Sequence, residues 1–141
     1  MTPAVGTHTL VLYRSSDRAD SALQAVCQHA RERASRVTVV VLARQEDPRS
    51  GCCDTRSVLW NQVCRDLANE DLARASRAVE NQAGVHFVVL EAPDRKVVDA
   101  IAQEAFTRGA DEIVLADPRA SGLGRLEQRR LRRRRAVPIS G

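Results

Sequence analysis

Apolar residues along the chain fall into two alternating patterns. Residues 7–13 (THTLVLY), 37–43 (VTVVVLA), 85–90 (VHFVVL) and 112–116 (EIVLA) are short runs of β-branched and aliphatic side chains, as expected for strands covered on both faces in a parallel sheet. Between the first two runs, Ala22, Leu23, Val26, Cys27, Ala30 and Ala34 recur on one face of a 3.6-residue period, after the candidate caps Ser16 and Asp17. A second helix is predicted over residues 55–82, with Trp60, Val63, Cys64 and Leu67 on one stripe and Leu72, Ala75 and Val79 on another. The two stripes are out of register, which places a kink near Asn69. Gly84 is expected to end this helix.

Pro93 and Asp94 open a third helix whose apolar positions, Val97, Val98, Ile101, Ala102, Ala105 and Phe106, repeat cleanly until Gly109 stops it as a left-handed cap. After the fourth strand, a loop over residues 117–124 carries Gly122 and Gly124. It leads into a short basic helix from 125 to about 134, then a last strand over 136–140. Strict alternation of strand and helix with short connections predicts an α/β fold: a doubly wound, five-stranded parallel sheet in the order 3-2-1-4-5 with helices on both faces. At 141 residues the chain is expected to be a single domain, 1–141.

The formal charge of +4 conceals an asymmetry. Residues 125–135 hold seven arginines against one acid, Glu127, while the rest of the chain has fifteen basic and seventeen acidic residues. One segment therefore carries +6 and the remainder −2, so the high isoelectric point does not describe a basic surface wrapped around the whole molecule. A solvated helix face is the default reading of the arginine run, and few aromatic side chains are present to stack bases, so nucleic acid is not the expected partner. Binding of anions, or nonspecifically of nucleic acid, through this helix is the alternative.

Four cysteines, Cys27, Cys52, Cys53 and Cys64, form no CxxC pair and stand at no metal-ligand spacing with histidine. A cytoplasmic, reduced setting is expected, with no metal and no membrane span. Vicinal Cys52 and Cys53 read as an accessible loop, a redox or soft-metal role being the alternative. His8, His29 and His86 are scattered, with His86 expected at the sheet edge, and no catalytic relay can be built from them. Ser15, Ser16 and Ser121 lack the GxSxG elbow of a nucleophile. The third strand ends in Leu90 and Glu91, which provides no phosphoacceptor aspartate. No catalytic residue is assigned.

If the first strand is central, the chain reverses direction across the sheet between strands one and four, and their following loops flank one crevice. One wall is Arg14, Ser15, Ser16 and Asp17; the other is residues 117–124 with the amino terminus of the basic helix behind it. Free N–H groups and the helix dipole attract phosphate there, which makes Ser121, Gly122, Gly124 and Arg125 the phosphate candidates. Arg14 is expected to pair with Asp117, a bidentate phosphate contact being its alternative role. The loop is neither a GxGxxG fingerprint nor a GK[ST] phosphate loop.

The order of elements, with ADEIVLADPRASGLGRL at its centre, resembles the universal stress protein family over essentially the full chain. The resemblance implies the fold and, in the family's nucleotide-binding members, a GxxG after the fourth strand followed nine residues later by Gly and Ser or Thr, which hold the phosphates of ATP. Gly122 matches the second glycine. Arg119 replaces the first, Arg132 and Arg133 replace the later pair, and Arg14 stands where ATP-binding members carry an aspartate.

The resulting expectation is a non-catalytic, stress-related binding or regulatory module with a degenerate nucleotide pocket. It would dimerise by pairing residues 137–140 across a two-fold axis, although Pro138 removes one donor from that edge. The alternative is a working ATP or AMP binder using Arg14, Ser15, Leu42, Ser121, Gly122, Gly124 and Arg125.

Overall fold

The computed structural model describes residues 7–46, 55–80, 82–134 and 139–140. Its strands β1 (His8–Leu12), β2 (Arg36–Gln45), β3 (Val85–Pro93) and β4 (Glu112–Leu115) are all parallel in the order β3-β2-β1-β4. Of the expected last strand, only the pair Ile139–Ser140 (β5) is described. It runs beside Ile113 and Val114 of β4. Residues 136–138, including the Val137 and Pro138 of the expected dimer edge, lie outside the described residues, as do Cys52 and Cys53.

Every residue of β1 is buried, because helices cover this central strand from both sides. On one side α1 (Asp17–Arg33) and α2 (Thr55–Ala78) enclose Val11, Tyr13, Leu23, Val37, Val39, Ala68 and Ala75. On the other, α3 (Val97–Thr107) and α4 (Arg125–Arg133) enclose Leu10, Leu12, Val40, Ile101, Ile113, Leu115 and Leu131. Successive strand side chains point to opposite faces, which is how one strand feeds both cores.

Helix α1 starts where Ser16, in extended conformation, accepts the Ala19 N–H at 3.0 Å. Two acids in its first turn, Asp17 and Asp20, suit the positive end of the helix dipole. Its inner stripe is Ala19, Leu23, Cys27 and Ala30. Ala34 is exposed instead of lying on that face, because it is the left-handed residue (φ 52°) that ends the helix.

Helix α2 runs unbroken through Asn69 and ends four residues earlier than the pattern predicts, at Ala78. The left-handed residue after it is Glu80, while Gly84 (φ 82°) makes the turn into β3. The predicted stripe of Trp60, Val63 and Leu67 is not core. With Val58 and Leu59, these side chains are exposed. Asn61 Oδ1 accepts the Glu46 N–H at 2.8 Å, so the turns before Asn61 stand beyond the carboxyl edge of the sheet, with no strand beneath them to bury against.

Helix α3 follows a single 3-10 turn at Asp94–Lys96 and buries Val97, Ile101 and Ala105. Phe106, predicted for the same stripe, is exposed. Gly109 is left-handed (φ 67°), which lets the Ala110 N–H return to the Ala105 carbonyl at 2.9 Å. His86 stands exposed on the edge strand β3.

His8 is buried in this framework. Its Nδ1–H donates to the Arg108 carbonyl (2.9 Å), which leaves Nε2 to accept the buried Thr38 hydroxyl (2.7 Å). Burial pushes the imidazole below its ordinary value of 6.5, against the opposing pull of the Arg108 carbonyl. The unfolded chain therefore binds a proton more readily than the folded one, and the neutral ring contributes stability that is lost as pH falls below 6.5. Urea midpoints measured from pH 7.5 to 5 should decline, and His8→Gln should flatten that decline.

Candidate ligand cleft

The chain reverses across the sheet between β1 and β4, and the loops after those strands meet: the Ser16 hydroxyl donates to Asp117 Oδ2 at 3.0 Å. Beside this junction opens a cleft of about 360 Å³. Its floor is Tyr13, the end of β2 from Val41 to Gln45 and the following Glu46, its outer wall is Trp60, Cys64, Leu67, Ala68 and Asp71 of α2, and its inner wall is Ser121 and Gly122 with Asp94. A mainly apolar cleft of this size with a few converging polar groups suits a small ligand.

Four of the predicted residues, Arg14, Leu42, Ser121 and Gly122, line this cleft together. Ser15, Gly124 and Arg125 do not. The Ser15 hydroxyl donates to Asp71 Oδ1 at 2.5 Å, tying the end of β1 to α2. Gly124 is the residue before α4, and its N–H goes to Glu127 Oε1 at 3.0 Å. Arg125 is exposed as the first residue of α4.

The expected pairing of Arg14 with Asp117 does not form. Asp117 is buried and accepts from Ser16 and from the Arg119 N–H (3.1 Å), while Arg14 is exposed with no side-chain partner among the described residues. Local contacts satisfy the carboxylate within its own pair of loops, so the longer reach to Arg14 is not needed.

The dominant group at the inner wall is one that sequence reasoning missed. Arg44 donates from Nη2 to the Gly122 carbonyl (2.6 Å) and to Glu127 Oε1 (2.5 Å), and from Nη1 to Glu127 Oε2 (3.2 Å) and Asp94 Oδ1 (3.0 Å). A single guanidinium thus clamps the glycine loop, the start of α4 and the turn before α3 to the end of β2. Burial alone would raise the Glu127 carboxyl, but the Arg44 fork and the Gly124 N–H hold it below its ordinary range. Burial would lower Arg44, but its contacts with Glu127 and Asp94 outweigh that and hold its guanidinium more firmly charged.

The signal for this clamp was in the chain. Arg44 lies two residues beyond Leu42 and so shares its face of the strand. Glu127 lies three residues after Gly124, the spacing of a helix-capping carboxylate.

The loop spends much of its hydrogen-bonding capacity on itself. Ser121 is buried, its hydroxyl oxygen accepts the Leu123 N–H (3.2 Å), and Gln128 Nε2 donates to the Pro118 (2.7 Å) and Leu123 (3.2 Å) carbonyls. Gly122 is left-handed at φ 87°, a conformation that side chains rarely adopt. The Cys64 thiol is pushed up by burial, then by the charges of Asp94 and Glu46, and so is kept protonated. No histidine lines the cleft. Among the described residues no cluster is placed to hold a metal ion, and no helix is long and apolar enough to cross a membrane.

A parallel α/β sheet with a cleft outside the carboxyl ends of its strands, where the strand order reverses, defines a class of small-ligand-binding folds. Within that class the fold is that of the universal stress proteins. A protein of that family from Burkholderia pseudomallei is 19% identical over 97% of this chain and 96% of its own, with a TM-score of 0.72. The universal stress protein of Archaeoglobus fulgidus, solved with dAMP, is 20% identical over 96% and 95%, with a TM-score of 0.61. A universal stress protein solved with cAMP is 14% identical over 94% of each chain, with a TM-score of 0.62. No family model matches the chain, and no curated protein matches it.

Proposed function

We propose that this chain is a non-catalytic binding or regulatory module, stress-related as its fold suggests, whose nucleotide cleft is closed at the phosphate end by its own side chains. The observation that carries this reading is the Arg44 clamp. In the dAMP and cAMP complexes the same fold holds an adenine nucleotide. Here a base would lie against Leu42, with its phosphates directed to Ser121, Gly122, Gly124 and Arg125. That end already holds an internal carboxylate on an internal guanidinium, and the Gly124 N–H is committed to the same carboxylate. A phosphate would have to displace Glu127 from a two-pronged contact before gaining any of its own. Dimerisation through the β5 edge and contacts with a partner are then the activities left to the molecule.

The second reading, a working AMP or ATP binder, draws on Arg14, which stands at the cleft without a side-chain partner among the described residues and could grip a phosphate.

Thermal unfolding separates the two. A ligand at one hundred times its dissociation constant stabilises by about 2.7 kcal/mol, which is several degrees for a domain of this size. Millimolar AMP or ATP in 0.5 M salt should leave the wild-type melting temperature unchanged and raise that of Glu127→Ala, in which Arg44 is released. A rise of several degrees in the wild type overturns the closed-cleft reading.

A further inference from the structure

Helix α4 carries a charge arrangement that the cleft does not use. Its inner face is fixed to the body by Leu131, which is buried, by Gln128 on the Pro118 and Leu123 carbonyls, and by Glu127 on Arg44. The other six positions of the helix face water, and five of them are arginines: Arg125, Arg129, Arg130, Arg132 and Arg133. None of these five side chains has a hydrogen bond or salt bridge among the described residues. The sole acid of the segment is turned inward onto Arg44, and of the outer row only the charge of Arg130 is felt by it. Arg125 and Arg129, and Arg129 and Arg133, are like charges four residues apart, an arrangement that weakens a helix. Asp94 and Asp99 share a pocket with Arg130 and Arg133, but neither is paired with them, and Arg125, Arg129 and Arg132 lie outside that pocket.

The counter-charge that fits is a regular, dense array of phosphates. A nine-residue helix is about 13 Å long, and that length of double helix presents about eight negative charges. Guanidinium forks match phosphate oxygens two at a time. A single strand is disfavoured because α4 holds no aromatic side chain on which bases could stack. A membrane surface is disfavoured because in-plane anchoring needs an apolar face, and here Leu131 is sealed against the body, leaving Leu126 as the one outward apolar residue of the helix. We infer that the outer face of α4 binds the phosphodiester backbone of double-stranded nucleic acid without reading its sequence. The body of the molecule, with its net −2, would be held away from the polyanion.

Fluorescence anisotropy with labelled 20-base-pair duplexes of arbitrary sequence, one DNA and one RNA, tests this between 50 and 300 mM salt. Five phosphate contacts predict a slope of about −4.5 for log K against log salt. The double variant Arg129→Gln and Arg133→Gln should weaken binding equally for all sequences and flatten the slope by about 2, with no loss of melting temperature, since both like-charge pairs are removed. A difference between the DNA and RNA arms identifies which duplex is preferred, and binding to either supports the inference. It is overturned by absence of duplex binding at 50 mM salt, by a slope that the double variant leaves unchanged, by preference for a single strand, or by retention on phosphatidylglycerol vesicles that duplex fails to compete away.

Discussion

Leu131→Ala is expected to lower the free energy of unfolding by about 3 kcal/mol, the loss typical of truncating a fully buried leucine. Leu131 is 1% exposed and belongs to the core cluster that contains Val97, Ile101, Leu115 and Leu123. Helix α4 is otherwise so rich in arginine that this side chain is its only buried one, and truncation removes the apolar contact that seats the helix on the sheet. Leu126, five residues earlier and exposed, is the internal control: Leu126→Ala should change stability by no more than about 0.5 kcal/mol. Urea denaturation of the two variants measures both quantities. Equal losses would show that α4 is not seated as described.

Arg44→Ala should cost about 2 kcal/mol, because it removes the partner of both the Glu127 carboxylate, 22% exposed, and the Gly122 carbonyl. Arg44→Lys should recover little of this. One ammonium cannot span Gly122, Glu127 and Asp94 as the planar fork does. The loss also depends on pH in a definite direction. Since the folded Glu127 carboxyl lies below its ordinary value of 4.5, the unfolded chain takes up the proton first. The clamp therefore contributes fully above pH 4.5 and fades as pH falls further. Denaturation midpoints of wild type and Arg44→Ala should converge in acid, and a gap that persists undiminished well below pH 4 would place the stabilisation elsewhere.

The parallel sheet and the strand order 3-2-1-4 were legible because buried parallel strands are nearly uniform apolar runs, and the helices between them keep a clean period. Where the reading erred, the period alone could not say whether anything lies opposite the stripe. Trp60, Val63 and Leu67 obey helical spacing as faithfully as Leu23 and Cys27, yet all three are exposed, Trp60 and Leu67 on the wall of the open cleft. Phe106 erred because the buried stripe of α3 is narrow, Val97, Ile101 and Ala105, and Phe106 lies round the helix from it; Ala34 erred because it is the left-handed residue that ends α1.

At the cleft, residues such as Gly122 and Ser121 could be found from loop chemistry. Arg44 could not be found that way. It contacts residues 50 to 83 positions away: strand alternation sets Arg44 on the face of Leu42 and cap spacing marks Glu127, but nothing local joins the two to each other. Arg14 and Asp117 show the converse failure: two opposite charges at adjoining strand ends suggested a bond, and nearer donors satisfied the carboxylate first.

Trp60 is the chain's only indole, and it stands at the wall of the cleft with 53% of its surface in water. Its emission is therefore that of a largely hydrated ring from a single place in the molecule, with no second chromophore of its kind to blur it. Any solute that settles beside it strips water from one known position, so the protein carries a built-in optical gauge of what enters the cleft, readable without a label.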